Sequence, residues 1–386
     1  MDFTLTDGQK KLVSAFRTFG ADTFTPERVA KWCRDQGLPD TVMKEFVDLY
    51  YETAEPDIAP DLAHSLLSQV LIVEELSRCA GTTLPFQNDL FNLQIMSGFA
   101  GAAEAASIAE DYRADGRLMF ALAISEPEAG SDNQGMECLA TRTGDGKVHI
   151  NGVKTWVTQG EHVDGFIVVC KDEDPSRENK NMSLWLVPSD TPGVSTAALT
   201  KLGQQTVPFV DVFFDDVVLT EANRLGEAGQ GWLLLMKNFE FERCLVVAQG
   251  LGLAEAALDD AIDYALDRIA FGKPIADNPR VQDLITESKR TILYTRMMLY
   301  LCLWMLDQGM SCNAEVAMLK SESTKTCLKV ADNAIEIFGG LGYTEEVRVG
   351  RIWKDLRGNA LAGGTCEVMD YIAGRAIVNK YRARKK

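Results

Sequence analysis

The sequence predicts an α+β protein, mostly α, in three parts: a helical N-terminal domain (1–116), a middle β-barrel or sheet domain (117–223) and a C-terminal helical bundle domain (224–386). Apolar residues recur at three and four spacing on either side of the middle of the chain, and at two spacing within it. At 386 residues, 46% hydrophobic and 25% charged, the chain is long enough for two or three domains and can bury a substantial core.

From Thr6 to about Gly116 the pattern is helical, as in Leu66, Leu67, Val70, Leu71, Val73 and Leu76. Between Arg117 and Asn223, Val148-His149-Ile150 and the run Phe209 to Phe214 alternate. Turn signals stand at Asp145-Gly146 and Asn151-Gly152, so a small antiparallel sheet or barrel is expected. After Gly229-Gln230-Gly231, long helices are predicted over about 231–268, 280–307 and 315–338. Gly272, Pro274 and Pro279 punctuate the first junction, and Gly339-Gly340 end the third helix. The most apolar run, Met297 to Leu306, is far shorter than the roughly 20 residues of a membrane span and is flanked by Arg296 and Asp307, so it reads as a buried helix.

A formal charge of −17 and a pI near 4.7 oppose binding to nucleic acid or to an anionic membrane, because neither phosphates nor headgroups would be neutralised. The opening residues, Met1 to Asp7, have no basic region followed by an apolar one, and a cytoplasmic location is expected. Nine cysteines without Cys-x-x-Cys spacing and three histidines point away from a metal site and towards free thiols.

Five segments carry candidate chemistry. Ile124-Ser125-Glu126-Pro127-Glu128-Ala129-Gly130-Ser131-Asp132 is a loop leaving the first predicted strand, able to offer N–H groups and the Ser125 and Ser131 hydroxyls to a ligand, or to be a surface turn. Trp156 and Thr158 share one face of a strand, a pairing that suits an isoalloxazine, although a strand Trp taken alone is more often core. The planar fork of Arg268 in Arg268-Ile269-Ala270-Phe271-Gly272 suits a pyrophosphate, with Gly272 alternatively a helix stop, and Gly339-Gly340-x-Gly342 could be a helix cap. Glu242 shares a helical face with Phe239, Leu245 and Val246 and precedes Arg243, which makes it a candidate buried base or one half of a structural ion pair.

Together these motifs resemble the acyl-CoA dehydrogenase family of flavoproteins. The resemblance implies that family's fold, with a four-helix bundle as its C-terminal domain, and FAD as cofactor. It implies an acyl-CoA or enoyl-CoA substrate, electron-transferring flavoprotein as redox partner and a homotetramer built as a dimer of dimers. Ile124 and Ser125 would touch the flavin, Thr158 would hydrogen-bond its N5, and Trp156 would lie beside the ring. Arg268 and Phe271 would embrace the FAD of a neighbouring subunit, whose diphosphate Gly339 and Gly340 would approach. Ser131, Phe239, Arg243 and Gly363 would meet substrate, and Thr365 the cofactor.

Most family members carry a catalytic glutamate in a Tyr-Glu-Gly-Thr motif, where this chain reads Ala362-Gly363-Gly364-Thr365. Asn238 to Arg243 resembles instead a minority branch, isovaleryl-CoA dehydrogenase among them, whose base lies on this helix, at Glu242 here. Small residues at Ala362-Gly363 predict extra room for the acyl chain. The branch most resembled is that of crotonobetainyl-CoA reductase, through Asp2 to Asp7, Phe241-Glu242-Arg243, Gly350 to Arg357, the Gly-Gly pair and Lys380-Tyr381-Arg382.

Three positions depart from the family pattern. The family's Pro-Glu-Glu-x-Gly-Gly segment is not recognisable near 57–60, an FAD-contacting glutamine is Pro279, and another is Glu336. A proline has no N–H to donate and a carboxylate repels a diphosphate. Beside the FAD-dependent enzyme with Glu242 as base there is therefore a second reading, an FAD-deficient or half-catalytic subunit of a mixed tetramer. No residue sets the direction of the reaction.

Overall fold

The computed structural model describes the chain apart from residues 1–3, 61, 100–101, 117–119, 162, 173–181 and 386. Six helices come first: α1 (Asp7–Thr23), α2 (Pro26–Asp35), α3 (Asp40–Glu52), α4 (Leu66–Ala80), α5 (Phe86–Phe99) and α6 (Ala102–Asp115). Side-chain caps start several of them: Thr6 and Gln9 form a capping box on α1, and Ser65 accepts from the Ser68 N–H at the start of α4. Aromatic packing joins them, with Phe46 stacked on Phe86 at a centroid distance of 3.8 Å.

A sheet follows, made of β1 (Phe120–Ala123), β2 (Leu139–Arg142), β3 (Lys147–Thr158), β4 (Gly165–Asp172), β5 (Met182–Pro188), β6 (Val194–Ala198), β7 (Phe209–Thr220) and β8 (Arg224–Leu225). Its order is β6-β7-β3-β2-β4-β5-β8, with β1 also beside β4. The expected antiparallel sheet is in fact mixed, because β1 and β2 both run parallel to β4, against successive stretches of it. Asp145-Gly146 does turn the β2–β3 hairpin, with Gly146 at φ +82°. Asn151-Gly152 does not turn the chain: β3 runs through it with a shift of register. Gly152 takes φ +148°, and a Cβ there would stand 2.7 Å from the Cys138 Cα, so close approach of the backbone leading into β2 explains the glycine.

β4 and β5 are buried on both faces. Phe166, Val168, Cys170 and Trp185 pack inside the sheet domain, while Ile167, Val169, Met182 and Leu184 join the helical core. The chain then forms α7 (Gly231–Asp267), a hairpin of β9 (Ile269–Ala270) and β10 (Lys273–Pro274), α8 (Pro279–Asp307), α9 (Asn313–Phe338), α10 (Val349–Asn359) and α11 (Cys366–Ala383). The apolar run on α8 is two-sided rather than buried throughout. Leu299, Cys302 and Leu303 face the core, whereas Leu293, Tyr294, Met297, Leu301 and Trp304 are exposed, because the chain covers only one side of this helix.

One buried carboxylate knits the three parts together. Asp355 of α10 accepts from the Thr82 hydroxyl and the Thr83 N–H, each at 2.8 Å, and from the Gln204 N–H at 2.5 Å. Burial raises its pKa, and these donors offset part of that cost. Among the described residues no helix is long and apolar enough to cross a membrane, and no group of three or more His, Cys, Asp or Glu is placed to hold a metal.

Candidate active site

The site is centred on α7, where Phe241, Cys244 and Leu245 turn into the core and Glu242 stands half-buried at its edge. The Oε2 atom of Glu242 is sealed from solvent and has no hydrogen-bond partner. Burial pushes the Glu242 carboxyl above the usual glutamate range, and the positive charges of Arg243 and Lys320 pull it partly back. A carboxylate so placed is poorly solvated and therefore basic.

Arg243 is buried, its Nε is without a partner, and its guanidinium carbon lies 5.9 Å from the centre of the Phe239 ring. Phe239 in turn stacks on Phe91 of α5 at 6.0 Å. A stack thus runs from Phe91 of α5 through Phe239 to Arg243, the residue after the carboxylate.

Facing Glu242 across the bundle is the turn between α10 and α11. Gly363 and Gly364 take φ +63° and +89°, and a Cβ added at Gly363 would stand 3.0 Å from Glu242 Oε1 and 3.1 Å from Oε2. The room predicted at Gly363 is therefore filled by the Glu242 carboxylate. Thr365 caps α11, its hydroxyl accepting from the Val368 N–H at 3.3 Å. The Gly364 carbonyl accepts from the ammonium of Lys320, a fully buried residue of α9.

At the sheet, Ile124 and Ser125 are half-buried and Ser131 is exposed. The loop is braced from beneath: buried Lys154 donates to the Ile124 carbonyl at 2.9 Å and to Glu126 Oε1 at 2.7 Å, and the Thr155 N–H donates to the Ser125 carbonyl at 2.8 Å. Trp156 sits on a bulge of β3 at φ +59° and is 59% exposed, while Val157 is buried and Thr158 half-buried. Trp156 and Thr158 thus stand outside the core with Val157 turned into it. An exposed indole, a nearby hydroxyl and a rigid loop with available N–H groups fit a flat heteroaromatic ring.

The remaining expected contacts lie at the surface. Phe271 and Gly272 are the two-residue turn of the β9–β10 hairpin, at φ +51° and +78°, so Gly272 completes a turn rather than stopping a helix. Phe271 is fully exposed and Arg268 is exposed beside it. Gly339 ends α9 at φ +62°, and added Cβ atoms at Gly339 and Gly340 would meet open space. Lys154 and Lys320 lie outside the segments that the sequence marks, and Glu126, inside the loop, is there without a role of its own. Lys320 lies on the buried stripe of α9 with Val316, Ser323, Thr324 and Cys327, a placement that only the tertiary structure reveals.

A family model described as "Acyl-CoA dehydrogenase, C-terminal domain" matches residues 229–378, and one described as "Acyl-CoA dehydrogenase, middle domain" matches residues 121–217. The chain is 35% identical over 384 residues to the probable acyl-CoA dehydrogenase YdiO of Escherichia coli strain K12, covering 99% of this chain and 100% of that protein. It is similar to the solved structure of an acyl-CoA dehydrogenase from Slackia heliotrinireducens, at 36% identity and a TM-score of 0.87, covering 99% of each chain. It is also similar to butyryl-CoA dehydrogenase from Megasphaera elsdenii, at 28% identity and a TM-score of 0.90, covering 98% of this chain and 100% of that one.

Proposed function

Because the chain belongs to the acyl-CoA dehydrogenase family, we propose that it is an FAD-dependent acyl-CoA dehydrogenase or enoyl-CoA reductase in which Glu242 moves the α-proton. The observation that carries this reading is the approach of the Glu242 carboxylate to Gly363, the position at which most of the family keeps its base.

The residues fit FAD at the sheet. Ile124, Ser125, Trp156 and Thr158 would hold the ring, and Arg268, Phe271, Gly339 and Gly340, all at the surface, suit the cofactor of a neighbouring subunit. FAD, when bound, exchanges a hydride with the β-carbon of the CoA thioester. Glu242 takes the α-proton in oxidation or returns it in reduction, through a carboxylate whose Oε2 is sealed from solvent. The positive charge of Arg243 opposes the rise that burial imposes on the Glu242 carboxyl.

Electron-transferring flavoprotein as redox partner, a homotetramer and a cytoplasmic location belong to the same proposal, as does the three-domain division at 116 and 223. Specificity of the crotonobetainyl-CoA reductase kind is its finest level, and it rests on the matching sequence segments. The test is a visible spectrum of the protein expressed alone, loaded with FAD and desalted, then mixed with acyl-CoAs. A flavin spectrum near one FAD per chain that bleaches with an acyl-CoA supports the proposal.

A second reading, a half-catalytic subunit of a mixed tetramer, draws on two positions. Pro279 opens α8 without an N–H to donate, and Glu336 is exposed three residues before Gly339. A folded but colourless oligomer would favour it.

A further inference from the structure

Lys320 is among the largest fully buried side chains of the protein, yet it carries an ammonium. Its Nζ donates to the carbonyl of Gly364. That carbonyl belongs to a turn of two successive glycines in left-handed conformations, and a Cβ on the first of them would stand 3.0 Å from the Glu242 carboxylate. Two such residues in a row have little intrinsic preference for one geometry, so a fixed donor on a long helix decides where the turn lies.

We infer that Lys320 is a positioning residue for the base: its buried ammonium clamps the Gly363–Gly364 turn against the Glu242 carboxylate and sets a positive charge behind it. The inference rests on the assignment of Glu242 as base. An ammonium buried to this degree is costly unless charges and carbonyls surround it. The groups around it are the Gly364 carbonyl, Glu242 and Arg243 of α7, and Cys366 and Glu367 of α11. Burial lowers its pKa to about 8, and Glu242 and Cys366 oppose that fall. Around Glu242 itself the charged groups are Arg243 and Lys320, and Glu240 of α7 faces Arg243 in turn. Arg243 is thus shared between two glutamates, which leaves Lys320 as the second cation acting on the base.

The experiment follows the protonation of Glu242 in the FAD-loaded protein by infrared difference spectroscopy, using the protonated-carboxyl C=O band that Glu242→Gln removes. In Lys320→Met its midpoint should rise by about one pH unit or more, and Lys320→Arg should return it towards the wild-type value. Where Lys320→Met does not load FAD, Lys320→Gln is read in its place. An unchanged midpoint in the folded, FAD-loaded variant would overturn the inference, since a merely structural lysine would alter stability without moving it. Flavin reduction in Glu242→Gln reports separately on the base. A carboxyl that titrates with Lys320 but is dispensable for reduction would sink that assignment and spare the charge coupling.

Discussion

The carboxylate of Glu242 lies 3.0 Å from the point at which a side chain on Gly363 would begin. The two positions belong to different elements, α7 and the turn before α11, yet they address one small volume that has room for one carboxylate. With Glu242 in place, only a glycine satisfies residue 363, both for space and for its φ of +63°. The missing family glutamate and the presence of Glu242 are thus one structural fact seen from two sides.

Gly363→Ala should therefore disturb both fold and chemistry. The left-handed conformation costs an L-residue about 1 kcal/mol, and the new methyl must also displace both carboxylate oxygens. The expected result is a loss of about 1–2 kcal/mol in urea unfolding together with slower flavin reduction. Unchanged values of both would mean that the carboxylate does not rest there.

Lys154→Met should loosen the cofactor site without touching it. The substitution removes the buried pair with Glu126 and the bond to the Ile124 carbonyl, leaving Glu126 with only the N–H groups of Glu137 and Cys138. Breaking a buried pair costs about 3–5 kcal/mol. FAD affinity is expected to fall at least about tenfold, which corresponds to ~1.4 kcal/mol. Full FAD retention by a variant of normal stability would contradict the bracing role.

Asp89 of α5 supplies a pH signature. Burial raises its pKa from 3.8 to about 7, against hydrogen bonds from Tyr112 and Gln159. A raised acid binds its proton more tightly in the folded state, so the stability it contributes is present at low pH and is lost between about pH 4 and pH 7 as it is forced to ionise in place. Relative to wild type, Asp89→Asn should gain stability as pH rises through that window and level off above it. Urea midpoints across pH measure this, and a difference that stays flat would show that Asp89 is ionised throughout.

Much of the fold was legible because breakers coincide with real ends. Gly231, Pro279 and Gly339 bound α7, α8 and α9 within a residue or two of the expected positions. Asn151-Gly152 misled because a turn and a bulge use the same residues, and what separates them is the backbone of Cys138, just before β2. The Met297–Leu306 run showed hydrophobicity but not which side of α8 the chain would cover. Within the site, Glu242 was readable from its apolar stripe and from the empty place at Gly363. The contact between them was not, because it joins positions more than a hundred residues apart. Lys154 and Lys320 were invisible for a related reason: a lysine is ordinarily a surface residue, and only tertiary partners such as Glu126 and the Gly364 carbonyl make these two buried.

The most direct test is rapid mixing of FAD-loaded Glu242→Gln with an acyl-CoA that bleaches the wild-type flavin. The wild-type rate should climb with pH as Glu242 ionises, along an acid limb above the ordinary glutamate range, because the base works only when deprotonated. Glu242→Gln should bind FAD and fold normally but lose flavin reduction by several orders of magnitude, with no acid limb left. Reduction at a rate near wild type would show that the proton goes to another group, and the assignment of the base would fail.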